Sequence, residues 1–166
     1  MNAVALQDAI RTRLVQSFAA ESVDVQGVWY TVAPEIDGDG DKIEIVKGCD
    51  PIVMFSLTNG SPLGVTDDPG VSGFAVDAFE GSYTVEVMTH RYPASGLATL
   101  STAWETVVGD GTASSAPTYG LHRWRPTVSG YSVSTMGLER FGSEVRGDQG
   151  EIVVAYGDFR VLVEKD

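Results

Sequence analysis

The apolar positions of this chain change period along its length, and the points of change mark its elements. Between Gly81 and Gly109, Tyr83, Val85 and Val87 alternate with Ser82, Thr84 and Glu86, the period-two pattern of a strand with one face covered and the other wet. Pro93 cannot continue a central ladder and Ser95 offers an N-cap. Leu97, Leu100, Trp104, Val107 and Val108 then recur at helical spacing until Gly109 ends the run. A helix entered so soon after a strand folds back on that strand's sheet and buries its stripe there. This strand-to-helix unit is expected to centre the fold.

A first amphipathic helix is predicted from Ala3 to about Phe18, where Leu6, Ile10, Leu14 and Phe18 share one side. Val28–Val32 is aromatic and β-branched, ends at Ala33-Pro34, and reads as a strand. Glu35–Asp41, EIDGDGD, reads as a loop joining it to a strand at Lys42–Val46. Ile52–Leu57 is a continuous apolar run, the pattern of a strand buried on both faces. Thr58–Gly73 holds four Gly and two Pro in sixteen residues and reads as a long loop, with Phe74–Phe79 returning as an edge strand.

Beyond Gly109, Asp110–Pro117 reads as a linker, Tyr119–Val128 as a strand ending near Pro126, and Ser129–Gly150 as a second loop-rich region. In the last run, Glu151–Glu164, apolar parity changes: Ile152, Val154 and Tyr156 are even, whereas Phe159, Val161 and Val163 are odd. A bulge or bend at Gly157 is expected to bring both sets to one face. Together these elements predict an α+β fold over residues 1–166: an antiparallel or mixed sheet, two helices packed mainly on one face, and long loops.

Composition narrows the chemistry. At 166 residues the chain is one domain that can bury a core without staples, and its single Cys49 rules out an internal disulfide or a zinc site built on several thiolates. It carries neither an apolar run of membrane-span length nor the pattern of a secretory leader, so a soluble, cytoplasmically made protein is expected. Lys and Arg number 11 against 23 Asp and Glu, a net charge of −12, which works against gripping nucleic acid by neutralising phosphates.

Motifs for catalysis are absent: no GxSxG, P-loop, HExxH or complete GxGxxG occurs. Asp37, Asp39 and Asp41 begin as a calcium loop does, but Lys42 and Gly48 stand where Gly and Glu are required, so the segment reads as an acidic turn. A joint His90 and His122 site needs their strands to be neighbours; the simpler reading has each ending a strand and facing water or a partner. Trp29, Tyr30, Tyr92 and Trp124 would make a sugar platform if they converged, although large aromatics more commonly fill cores and interfaces.

Two features point to a protein partner. His122-Arg123-Trp124-Arg125 interleaves cations with an aromatic, which in so acidic a chain suits an acidic neighbouring subunit. The outer face of the second helix carries Thr99, Ser101, Thr102 and Thr106, with Glu105 the only charge, where a solvated helix would carry more Lys and Glu. Thr99, Thr102, Thr106, Arg123, Trp124 and Arg125 are therefore the candidate interface. No catalytic, cofactor or metal residue is nominated, and no enzyme activity is expected.

The order of elements resembles the tail terminator, or tail-completion, proteins of long-tailed bacteriophages. The likeness is carried by the N-terminal helix, the strand-to-helix unit SYTVEVMTHRYPASGLATLSTAWETVV, the segment GLHRWRP and the closing DFRVLVE. That resemblance implies a virion subunit, made in the host cytoplasm, that assembles into a hexameric ring on the last ring of the tail tube. The ring stops tube growth and meets the head-side connector or stopper protein. It implies no cofactor and no membrane, and genomic DNA passing through without specific binding. Asp37, Asp39 and Asp41 would then lie on the channel or its rim, where carboxylates repel phosphate. The alternatives are a head-closure connector, a tail-tube subunit and, in another class, a β-rich glycan-binding module.

Overall fold

The computed structural model describes residues 3–30, 48, 50–65, 76–111 and 117–166. Its elements are α1 (Ala3–Ala20), β1 (Gly27–Tyr30), β2 (Ile52–Val65), β3 (Val76–His90), α2 (Ser95–Val108), β4 (Tyr131–Val133), β5 (Gly137–Arg146) and β6 (Ile152–Lys165). They form an α+β fold in which the sheet runs β1-β2-β3-β6, and β4 and β5 share the far edge of β6. The β1·β2 pair is parallel and the remaining pairs are antiparallel, so the sheet is mixed.

Both helices cover one face. Leu6, Ile10, Leu14 and Phe18 of α1 join Leu100, Ala103 and Val107 of α2 over Phe55, Tyr83, Val85, Val87, Phe159 and Val161 in one core. Each such side chain contributes roughly 1.5–3 kcal/mol of burial, so the stripes read from the sequence are what fixes the layer. The strand-to-helix unit holds as expected, with α2 over Ser95–Val108. Ser95, however, does not cap it: Ala94 occupies the N-cap position and makes no side-chain cap bond.

The end of α2 is built by a crossing of backbones. Gly109 and Gly120 have φ of 98° and 79°. A Cβ on Gly120 would stand 2.2 Å from Gly109 Cα, and one on Gly109 2.3 Å from the Tyr119 carbonyl oxygen. Only glycine allows that approach. It lets the Leu121 and His122 amides donate to the Val107 and Val108 carbonyls, each at 2.9 Å, and so satisfy the last turn of the helix. Residues 119–128 are consequently a helix-capping excursion and not the predicted strand.

Three further expectations change. Thr58–Val65, read as loop, continues β2 and pairs with Val76–Ser82 of β3 after a register irregularity at Leu57/Asn59. β1 covers only Ile52–Phe55, so among the described residues the outer edge of β2 beyond Phe55 has no partner strand, and a strand containing Pro62 is tolerated on such an edge. For the same reason the start of β3 is central, flanked by β2 and β6, instead of an edge. Ser129–Gly150, also read as loop, contains β4 and β5.

The parity change in β6 involves no bulge in that strand, whose register against β3 is unbroken from Ile152 to Glu164. Val154 is buried on the opposite face in a second small cluster with Ile52, Met54 and Met88, against which Trp29, Ile152 and Tyr156 pack. The even and odd sets are thus covered on different faces at different heights. The register shift lies on β5, between Leu138 and Arg140.

Candidate subunit interface

The outer face of α2 is less polar than its composition implies. The Thr99 and Thr102 hydroxyls donate to the Ser95 and Ala98 carbonyls at 3.0 and 3.1 Å, so their protons are engaged by the helix itself. Thr106 departs from the expected placement. It is 3% exposed and donates to the Thr102 carbonyl at 2.9 Å, on the core side with Leu100, Ala103 and Val107. Leu97, assigned by spacing to the buried stripe, is instead 47% exposed.

His122–Arg125 acts first as a brace within the chain. The His122 Nδ1 accepts the Leu138 amide at 3.1 Å, and Arg125 Nε donates to the Val133 carbonyl at 2.6 Å. Trp124 packs against the main core under the Arg13 guanidinium, 5.4 Å from its ring centroid. Arg13 also donates to the Gly120 and Pro117 carbonyls, each at 2.9 Å, and its burial lowers the guanidinium pKa against the raising effect of Asp110. Arg123 is exposed, and neither it nor Arg125 meets a carboxylate among the described residues. Asp37, Asp39 and Asp41 lie outside the described residues.

An element the sequence reading missed completes the surface. β5 pairs with β6 on one side, and among the described residues its other edge has no partner strand. Phe141 and Val145, opposite Gly157 and Val153 on the helix-bearing face, are 70% and 59% exposed because α2 packs over β3 and β6 and stops short of β5. The other face of β5 is closed by ion pairs. Arg140 meets Asp158 at 2.7 Å, and Arg146 grips Glu86 at 2.5 Å and also pairs with Glu144. Arg160 adds pairs to Glu80 and Glu139.

No protein-family model matches the sequence, and no curated protein matches it. Two solved structures are similar over their whole length. A chain of the virion of a native gene transfer agent particle shares 17% identity, with 99% of each chain covered and a TM-score of 0.46. A second structure shares 10% identity, with 100% of this chain and 98% of the other covered and a TM-score of 0.53. The likeness is one of fold. It rests on the second structure, since the first superposes too loosely to carry more.

Within that fold the remaining candidate sites come apart. His90 precedes the first turn of α2 and bonds locally to Tyr92, whereas His122 is tied to the last turn. A helix of 14 residues, about 20 Å long, separates them, so they form no joint site. The four aromatics are likewise dispersed. Trp29 packs on the second cluster and Trp124 on the main core, Tyr30 meets Phe55 edge-on at 5.3 Å, and Tyr92 is exposed beside Arg91. No three His, Cys, Asp or Glu among the described residues gather as metal ligands would. An open groove of about 480 Å³ beside Arg160 is lined by Glu80, Glu139 and Leu162, with its guanidinium already paired.

Proposed function

We propose that this chain is a non-enzymatic structural subunit of a bacteriophage neck or tail. It assembles with copies of itself into a ring, six-membered by the family resemblance, that caps the tail tube, ends its polymerisation and joins it to the head-side connector. The observation that carries the reading is the layering. An N-terminal helix and a second helix entered directly from the central strand lie on one face of a mixed sheet, in the element order by which the sequence resembles tail terminators. The low-charge face of α2 and the open flank of β5 support it as surfaces for protein contact. The net charge of −12 suits a channel along which phosphate must slide without adhering.

The scattered aromatics do not favour the glycan-binding alternative, and the separated histidines do not favour a joint His90 and His122 site. The test is negative-stain imaging of tail tubes incubated with the purified protein. Rings seated at one tube end are expected; bare ends, or protein decorating the tube along its length, would remove the terminator role.

A further inference from the structure

We propose that the free edge of β5 is a self-association surface, on which two copies pair antiparallel about a two-fold axis through Gly142. The proposal does not rest on the ring reading. A strand edge of ten residues that none of the described residues pairs is a template for another strand, and natural proteins blunt such edges with proline, with bulges or with charges left facing the edge. β5 carries little of this beyond its first residues: it contains no proline, its one register shift lies at its start between Leu138 and Arg140, and its Arg140, Glu144 and Arg146 are drawn into ion pairs on one face. Its other face offers Phe141 and Val145 to solvent beyond the helical layer.

Register selects the occupant. With the axis perpendicular to the sheet, both copies keep their helices on the same side, and opposed residues must share a face. Centring the axis on Gly142 sets Arg140 opposite Glu144 of the partner subunit, twice by symmetry, and Phe141 diagonal to Phe141 of the partner subunit. Diagonal neighbours lie about 7–8 Å apart, within reach of aromatic rings. Moving the axis to Phe141 leaves Arg140 facing glycine; moving it to Ser143 sets Arg140 against Arg146 of the partner subunit. Over the regular stretch Arg140–Glu144, beyond the shift at Leu138/Arg140, this register therefore pairs the charges on one face and brings the two Phe141 rings within reach of each other on the other. Arg140 and Glu144, 75% and 45% exposed in their present pairs, retain room for a second partner. Being two-fold, the contact joins chains or rings in pairs and closes no ring by itself.

The test is complementation by charge, read by sedimentation velocity and native mass spectrometry across a wide concentration range. Wild type is expected to dimerise. Arg140→Glu places like charges opposite one another at both sites, as does Glu144→Arg, so each alone should dimerise at least about tenfold more weakly. An equimolar mixture of the two restores both pairs and should form one-to-one heterodimers as tight as the wild-type pair. Both substitutions are on the surface and each gives up an intrachain ion pair, to Asp158 or to Arg146, so a cooperative thermal melt at a slightly lower midpoint will show that each variant is folded. Phe141→Ser should weaken the wild-type pair without altering this complementation. A wild type that is monomeric throughout, variants that associate as wild type does, or a mixture that fails to recover would overturn the proposal. A ring that assembles normally in both variants, with no heterodimer in the mixture, would remove this contact and leave the ring reading standing.

Discussion

Gly157 is the point where the seating of α2 on the sheet can be tested most sharply. A Cβ there would lie 2.7 Å from Trp104 Cη2, 2.9 Å from Leu138 Cδ1 and 3.0 Å from the Arg140 carbonyl oxygen. Two side chains and a backbone atom therefore meet one methyl group, and overpacking of this kind costs about 1–3 kcal/mol. Alanine also recovers roughly 0.4–1 kcal/mol by restricting the unfolded chain, so Gly157→Ala is expected to destabilise by about 1–2 kcal/mol net. For a chain of this size that corresponds to a melting temperature lower by roughly 2–8 °C. The cause can be isolated by a double-mutant cycle with Trp104→Leu, since a shorter side chain vacates the space the methyl needs. Urea denaturation followed by circular dichroism should then show the Gly157→Ala cost falling by at least about 0.5 kcal/mol in the Trp104→Leu background. Equal costs in both backgrounds, or a neutral Gly157→Ala, would mean that Trp104 is not seated on β6 and that the exposed face of α2 has been wrongly identified.

Three other perturbations probe the interior and the charged face. The Tyr83 hydroxyl is fully buried and has no hydrogen-bond partner among the described residues, so Tyr83→Phe should stabilise the protein by about 1 kcal/mol in denaturant titrations. Burial pushes the same hydroxyl up to about 12 from an ordinary 10, so its part of the stability is present below pH 10 and lost as pH rises toward 12. Tyr83→Phe should flatten that alkaline decline. Arg146→Ala removes the pairs to Glu86 and Glu144 and should cost about 1 kcal/mol at low salt, the difference from wild type shrinking in concentrated NaCl. Burial raises the Asp110 carboxyl pKa, but hydrogen bonds from the Thr118 hydroxyl and from backbone amides outweigh it and hold the group below its usual 3.8. Its contribution is present above that value and is lost as pH falls through the lower folded value. Thr118→Ala should move the acid unfolding midpoint upward.

What could be read from the sequence was what is paid for in buried apolar area. α1, the buried start of β2 and the strand-to-helix unit each carry a stripe of large side chains that has one place to go, and each was legible at its period. β5 was not, because neither of its faces is buried: Glu139, Arg140, Phe141, Ser143, Glu144 and Val145 are all exposed, and no alternation survives. Thr58–Val65 resembles a loop because Gly and Pro are permitted on an edge that, among the described residues, β1 leaves uncovered beyond Phe55. Residues 119–128 resemble a strand because nothing in their own pattern announces that their amides will turn back to cap the helix just before them.

The interface candidates divide in the same way. Thr106 was placed outside by its chemistry, yet it sits three residues after buried Ala103 and beside buried Val107. Its hydroxyl can enter the core because the Thr102 carbonyl accepts it. Arg125 and Trp124 were read as contacts to a neighbouring subunit, and their described contacts are internal ones, to Val133 and Arg13. The parity of β6 signalled burial correctly and its cause wrongly, since a second small core was not legible in any one segment.

The central claim is that this subunit ends the growth of a tail tube. Light scattering of polymerising tail-tube protein, with the purified chain added at increasing ratios, tests it most directly. The account expects growth to stop earlier and tubes to shorten as the ratio rises. Growth that continues unchanged, or that incorporates the chain along the tube, would contradict it.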